Sequence, residues 1–183
     1  NTSSKPGTVT IREPDLISRD LSNYGYLGCN SLEDMAEKIV KEYEATFESV
    51  KKYKGFYIGR YELTGSTTNP TVQKNQTVLT NTNWYSLKNT CAKIVSTSYA
   101  QTTMIYGNQW DEVMRWLRKT KFASDISKVN TDSSSWGNYN GTKRESGYNE
   151  AWKANNIYDL AGNCYEWTQE AVSSYRENRG RTL

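Results

Sequence analysis

The chain of 183 residues contains no histidine at all. That absence removes Ser-His and Cys-His nucleophile pairs, the commonest general base, and every zinc site that needs an imidazole. Cysteine is scarce and odd in number: Cys29, Cys91 and Cys164, with no Cys-x-x-Cys spacing. Such residues are expected to pack as small buried side chains, with one disulfide left open by the count. Proline and phenylalanine each occur only three times. No apolar run approaches the roughly 18 residues of a membrane span, and no signal-peptide pattern is present. Net charge is only +3, with acids and bases interspersed. The one basic cluster, Arg176, Arg179 and Arg181, is too short to suggest the concentrated basic face of a nucleic-acid binder. No nucleic-acid partner and no membrane insertion are therefore expected.

What the chain does have is tyrosine and tryptophan, fourteen and six. These side chains bury large apolar faces and keep a polar handle, which suits both a layered core and a ligand-facing surface. Residues 1 to 30 are rich in Ser, Thr, Gly and Pro and read as a linker or entering edge segment. The chain begins at Asn1 without a methionine, as a processed or excised piece would. Residues 31–183 are expected to form one domain.

That domain should open with a long amphipathic helix. Ser31-Leu32-Glu33-Asp34 supplies a cap and first-turn acids. Leu32, Met35, Ile39, Tyr43, Phe47 and Val50 recur at three- and four-residue spacing as far as Tyr53-Lys54-Gly55. The segment from Phe56 to Leu63, with aromatic and β-branched residues alternating with glycine and charge, predicts a strand. A second helix is expected over Trp84 to Val95, capped by Thr82 or Asn83, burying Leu87, Cys91, Ile94 and Val95. A third follows Asn108 as its cap and buries Trp110, Val113, Met114 and Leu117. From Phe122 to Asn155 the pattern dissolves into Ser, Asn, Gly and Asp. A loop of that length is usually functional or mobile, and its Trp136, Tyr139, Tyr148 and Trp152 argue against simple disorder.

The most informative stretch is NIYDLAGNCYEWT, from Asn156 to Thr168. Asp159 and Glu166 lie seven residues apart around a Gly-Asn turn. A tight turn there could aim backbone carbonyls and both carboxylates at one point, the hard-oxygen set that calcium favours. The competing reading is a turn packed by Tyr158, Tyr165 and Trp167, with Glu166 facing solvent.

This stretch resembles the signature of the formylglycine-generating-enzyme (sulfatase-modifying factor) domain, a variant of the C-type-lectin fold. GFYIGRYELT resembles that family's early strand, and IYGNQWDEVMRWL its helix, so the likeness runs from Lys51 to Thr168. With NTNWYSLKN and a preceding helix, the chain is similar to proteins of gut Firmicutes and their phages, and to diversity-generating-retroelement variable proteins. The resemblance implies an α+β, C-type-lectin-like fold: small antiparallel sheets, two or three helices, much irregular loop. It further implies a structural calcium site using the Asp159 side chain, the Leu160, Gly162 and Cys164 carbonyls, and the Glu166 side chain. Cys164 departs from the family's small apolar residue, a change that a carbonyl ligand tolerates.

The family's copper oxidase chemistry depends on two cysteines beyond this motif, after an Arg-Gly-Gly strand start. The chain ends at Arg181-Thr182-Leu183, about where that start is expected, and is read as a fragment lacking its C-terminal strands. No other residue pair supplies the soft thiolates that Cu(I) requires, so no copper is expected. The resemblance then implies a non-catalytic receptor-recognition domain of a phage or bacterial surface protein, extracellular, on the cell surface or on the virion. Its partner would be a cell-surface protein or glycan, met by Trp136, Tyr139, Tyr148 and Trp152. The alternative is a copper oxidase whose catalytic part is absent. Hydrolysis by paired carboxylates is disfavoured, because no motif places two acids across a cleft.

Overall fold

The computed structural model describes residues 24–119, 137–138, 142–172 and 175–179. Residues 1–23 of the linker expected over 1–30, and Trp136 and Tyr139, lie outside them. The chain divides into two compact units, Asn1–Phe56 with Glu170–Arg176, and Tyr57–Gln169 with Glu177–Leu183.

The first unit is built on α1, Leu32–Tyr53, preceded by a 3-10 turn at Tyr24–Leu27. Ser31 caps the helix by accepting the Asp34 amide at 3.1 Å, and Asp34 reaches back to accept the Asn30 amide at 2.9 Å. The reciprocal pairing satisfies two amides that the helix cannot pair internally. Lys54, in the left-handed region at φ 62°, ends the helix. Met35 and Ile39 are fully buried, while Leu32, Tyr43, Phe47 and Val50 are half-buried. The amphipathic stripe is thus as the periodicity predicts. Lys38 ties the helix to the 3-10 turn by donating to the Leu27 carbonyl at 2.7 Å.

The second unit holds two further helices and short antiparallel ladders. α2, Trp84–Cys91, starts where expected, with Asn83 accepting the Ser86 amide at 2.8 Å. It ends four residues early and buries Trp84, Tyr85, Lys88 and Thr90; Ile94 and Val95 lie past its end. The large indole decides that face, since the Trp84 Nε1–H donates to the Thr168 carbonyl at 2.8 Å. α3, Gly107–Arg118, begins one residue before Asn108, with Tyr106 in the cap position. Gln109 accepts the Tyr106 amide at 3.0 Å, so the reach-back of a side chain three residues on replaces the expected Asn cap. Its Trp110, Val113, Met114 and Leu117 are buried, as the spacing predicts.

The predicted strand over 56–63 is absent as a ladder strand. Its backbone is spent on irregular partners instead. The Arg60 carbonyl accepts from the Tyr158 amide, the Leu63 carbonyl from the Leu79 amide, and the Glu62 amide donates to the Ser146 hydroxyl. The ladders that do form are short. β1 (Thr64–Gly65) pairs antiparallel with β2 (Pro70–Thr71), with Thr64 opposite Thr71. β3 (Lys153–Ala154) pairs antiparallel with β4 (Ile157–Tyr158) across Asn155 and Asn156, both at positive φ, as a two-residue hairpin turn of the primed type requires. β5 (Glu166–Val172) pairs with β6 (Tyr175–Arg179). The architecture is α+β with small antiparallel sheets.

Candidate functional site

The turn after β4 is wound tightly. Asp159, Gly162 and Asn163 all take positive φ, at 56°, 84° and 62°. Asp and Asn tolerate that region because their short polar side chains bond locally. Asn163, 4% exposed, bonds through both ends of its amide. It donates to Glu62 Oε2 at 2.7 Å and to the Arg144 carbonyl at 3.2 Å. It accepts from the Arg144 amide at 2.9 Å and from Asn138 Nδ2 at 3.1 Å. Asp159, 1% exposed, accepts at Oδ2 from the Gly147 amide at 2.7 Å and from the Ser146 hydroxyl at 3.3 Å. The described part of the long loop therefore works as a polar clamp on the turn.

This clamp gathers three carboxylates. Glu62, Asp159 and Glu166 each keep one oxygen (Oε1, Oδ1 and Oε2) sealed from water and from every protein donor, and the Glu62 and Asp159 carboxyls bond each other once one of them holds the proton. Leaving such oxygens charged is costly, so burial favours their protonated forms. Burial, then the charge of Asp159, pushes Glu62 up to about 8, against the opposing bonds from Asn163 and Ser146. Burial raises Asp159 too, partly offset by the Gly147 amide and the Ser146 hydroxyl. Glu166 is raised well above the ordinary carboxylate range by burial and by the charges of Glu62 and Asp159. Burial and the nearby acids push the Cys164 thiol up to about 12.

Of the five residues that resemblance assigns to calcium, the structure therefore brings the Asp159 and Glu166 side chains within electrostatic reach of each other. The Gly162 carbonyl also accepts the Cys164 amide at 2.9 Å. Among the described residues, no three His, Cys, Asp or Glu side chains form a metal-binding group. Glu62 is the member that sequence reasoning missed. Its signal is an acid between Tyr61 and Leu63 in IGRYEL, which the strand reading counted only among the charged residues of the alternation.

Beside these acids lies a cavity of about 480 Å³, lined by Val78, Met104, Trp110, Ile157 and Leu160 among other apolar residues. Glu62, Glu166, Cys91 and Cys164 also line it; Asp159 does not. Cys91 and Cys164 are half-buried free thiols, and the buried Cys29 thiol donates to the Leu27 carbonyl at 3.7 Å. Burial holds Cys91 up at about 11.

Tyr148 and Trp152 form a pair with ring centroids 5.7 Å apart, and Tyr148 is 55% exposed. The Arg144 guanidinium lies 5.1 Å over the Tyr148 ring. Neither aromatic lines the cavity. Glu150, next to this pair, bonds Lys74, Lys153 and the Tyr158 hydroxyl. Those three partners, Lys153 first, pull its carboxyl down to about 2.

Comparison with known proteins finds no match to a protein family, a curated protein or a solved structure.

Proposed function

We propose that the unit built on residues 57–169 is a non-catalytic recognition domain of a phage or bacterial surface protein. On this reading it adopts the C-type-lectin-like fold of the formylglycine-generating-enzyme type. The observation that carries the binding reading is the cavity: apolar and aromatic for most of its wall, with a few buried polar groups to fix orientation. Its volume falls within the roughly 300–1,000 Å³ of small-ligand sites. The Tyr148–Trp152 pair with Arg144, its Tyr148 exposed and its Trp152 half-buried, adds rigid aromatic contact area of the kind recognition surfaces use. A cell-surface protein or glycan is the proposed partner, met outside the cell or on a virion.

The oxidase alternative needs two thiolates. Cys91 and Cys164 line the same cavity, but Cys164 lies within the motif and Cys91 far upstream of it, where the resemblance places no copper ligand, and this favours recognition over copper chemistry. Arrays of glycans and of bacterial surface proteins, probed with the purified chain, test the proposal. Selective binding that weakens in Tyr148→Ala is the expected result. Copper-dependent oxidation of a cysteine-containing peptide would overturn it.

Calcium is proposed as a structural ion of the turn, because Asp159 Oδ1 and Glu166 Oε2 are buried oxygens sealed from every protein donor. Calcium should then raise Tm by mass action, by about 3 °C or more at saturating concentration. Asp159→Ala should abolish that response. A wild-type Tm indifferent to calcium counts against the ion.

A further inference from the structure

Resting on the recognition reading above, we infer that the cavity takes a neutral aromatic molecule whose polar end is a hydrogen-bond-accepting oxygen, as in an aryl ketone or ester. Three features of the wall select that class. The first is its floor, where Val78, Met104, Trp110, Ile157 and Leu160 are buried. Aromatic rings and sulfurs supply much of the remainder. Tyr61 and Tyr158 line it as a stacked pair with ring centroids 5.0 Å apart, and the Cys91 and Cys164 thiols join the Met104 thioether. Flat π-faces and soft sulfurs favour an aromatic body over an alkyl chain of equal area.

The second feature is charge. No lysine or arginine lines the cavity, so an anionic ligand finds no counter-ion in its wall. Glu62 and Glu166 do line it, but each keeps a carboxyl oxygen sealed from water, and burial favours their protonated forms. A cation therefore finds no charged partner either. Moving an ion of either sign against such a wall loses its hydration without a paired charge in return.

The third feature is a pair of hydroxyls where the wall meets solvent. Thr103 is exposed and Thr80 half-buried, and both line the cavity. Thr103 Oγ1 accepts from Gln169 Nε2 at 2.9 Å, and Thr80 Oγ1 accepts from Lys143 Nζ at 2.9 Å. A hydroxyl that accepts still has its proton to give. Both threonines thus stand as donors towards a ligand, which must bring the acceptor. Lys143 holds Thr80 from outside the lining and also donates to the Val78 carbonyl at 3.3 Å.

Prodan, a neutral naphthyl ketone whose emission moves to the blue in apolar surroundings, is the probe, displaced by unlabelled competitors in EDTA. Methyl naphthyl ketone should compete at least about tenfold better than naphthoate or naphthylmethylammonium, the anion and the cation on the same rings. It should also outcompete methyl heptyl ketone, which lacks the rings. Thr103→Val and Thr80→Val should each weaken the aryl ketone by about three- to tenfold and leave ethylnaphthalene unchanged. Because the two competitors are compared within one variant, a general loss of folding does not imitate that result. Leu87→Trp and Leu79→Trp add bulk at two half-buried lining positions and should each weaken Prodan by about tenfold or more.

No Prodan binding, or binding that neither tryptophan weakens, overturns the inference. Selective array binding that weakens in Tyr148→Ala would then leave the recognition reading standing. Blank arrays beside Prodan binding in the cavity would sink that reading and leave the ligand class in place. Either ion competing as well as the aryl ketone overturns the neutral class, and methyl heptyl ketone doing so overturns the aromatic body. Unchanged aryl ketone affinity in both valine variants overturns the acceptor oxygen.

Discussion

Between about pH 5 and about pH 8.5, Tm should fall by roughly 5–10 °C, and Glu62→Gln should reduce that slope. The sign follows from where protons sit in each state. In the unfolded chain Glu62 ionises near its ordinary value of 4.5; folded, burial and the neighbouring Asp159 charge hold it at about 8. Below 4.5 both states carry the proton and the group is neutral towards stability. Above it the unfolded chain releases a proton that the folded protein keeps, so stability declines until the pH passes about 8. Asp159 and Glu166 are raised by burial and act in the same direction. The opposing groups fall outside the window. Glu150 is held down at about 2, so what it adds is lost only in acid below the range measured. Cys91 and Cys164, at about 11 and about 12, begin to count only above 9, where an ordinary thiol ionises.

The effect should be large because the oxygens concerned are sealed from water. Each tenfold in proton affinity is worth about 1.4 kcal/mol, and a few kcal/mol is a substantial part of a domain's stability. Glu62→Gln keeps the bond from Asn163 and removes the titration. It should melt higher than the wild type at about pH 8.5 and close to it at about pH 5. Thermal melts of both proteins across the range decide the matter. A wild-type Tm that is flat or rises over the window would show that the three acids are not buried as described.

The fold was most legible where one period governs many residues. α3 buries the residues its spacing selects, and α1 turns its selected stripe inward with Met35 and Ile39 buried and the rest half-buried, because a helix face repeats over several turns and outweighs any single exception. Caps at Ser31 and Asn83 were readable because their bonds are local. Asn108 was not the cap, since Gln109 serves Tyr106 from inside the helix. The strand over 56–63 misled for a different reason. Alternation describes a chain that can join a ladder, but a ladder also needs a partner, and here the Ser146 hydroxyl and the Tyr158 and Leu79 amides take that place.

The same limit applies to the site. Asp159 and Glu166 belong to one short motif and could be singled out together. Glu62 reaches them only through a hydrogen bond spanning 101 positions to Asn163, which no local pattern encodes. The long polar loop was read through its aromatics. Its Asn138 and Ser146 instead hold the turn with side-chain bonds to Asn163 and Asp159.

Gly162→Ala should cost about 2–4 kcal/mol, lowering Tm by roughly 6–15 °C. Two penalties combine at this position. The residue takes φ 84°, a conformation that a side chain disfavours by about 1–2 kcal/mol. A Cβ built there would also lie 2.6 Å from the Asn138 carbonyl oxygen and 3.0 Å from its carbon. Those are backbone atoms, so no rotamer change clears them. Nor can Asn138 easily withdraw. Its carbonyl accepts the Asn163 amide at 3.2 Å, and its side chain donates to Asn163 Oδ1 at 3.1 Å and to the Thr142 carbonyl at 2.8 Å. Relief would have to come from loosening the clamp, which in turn releases Asn163 from Glu62. The variant should therefore lose stability and also flatten the pH slope, because a loosened turn admits water to the acids. Gly59→Ala is the control. It sits in the same unit at ordinary φ, and its Cβ would meet nothing nearer than the Tyr61 carbonyl at 3.3 Å. Chemical denaturation of the two variants, read as midpoint at constant slope, separates them. A Gly162→Ala midpoint matching that of Gly59→Ala would mean that the turn is not wound as described and that the carboxylate cluster it supports is not held in place.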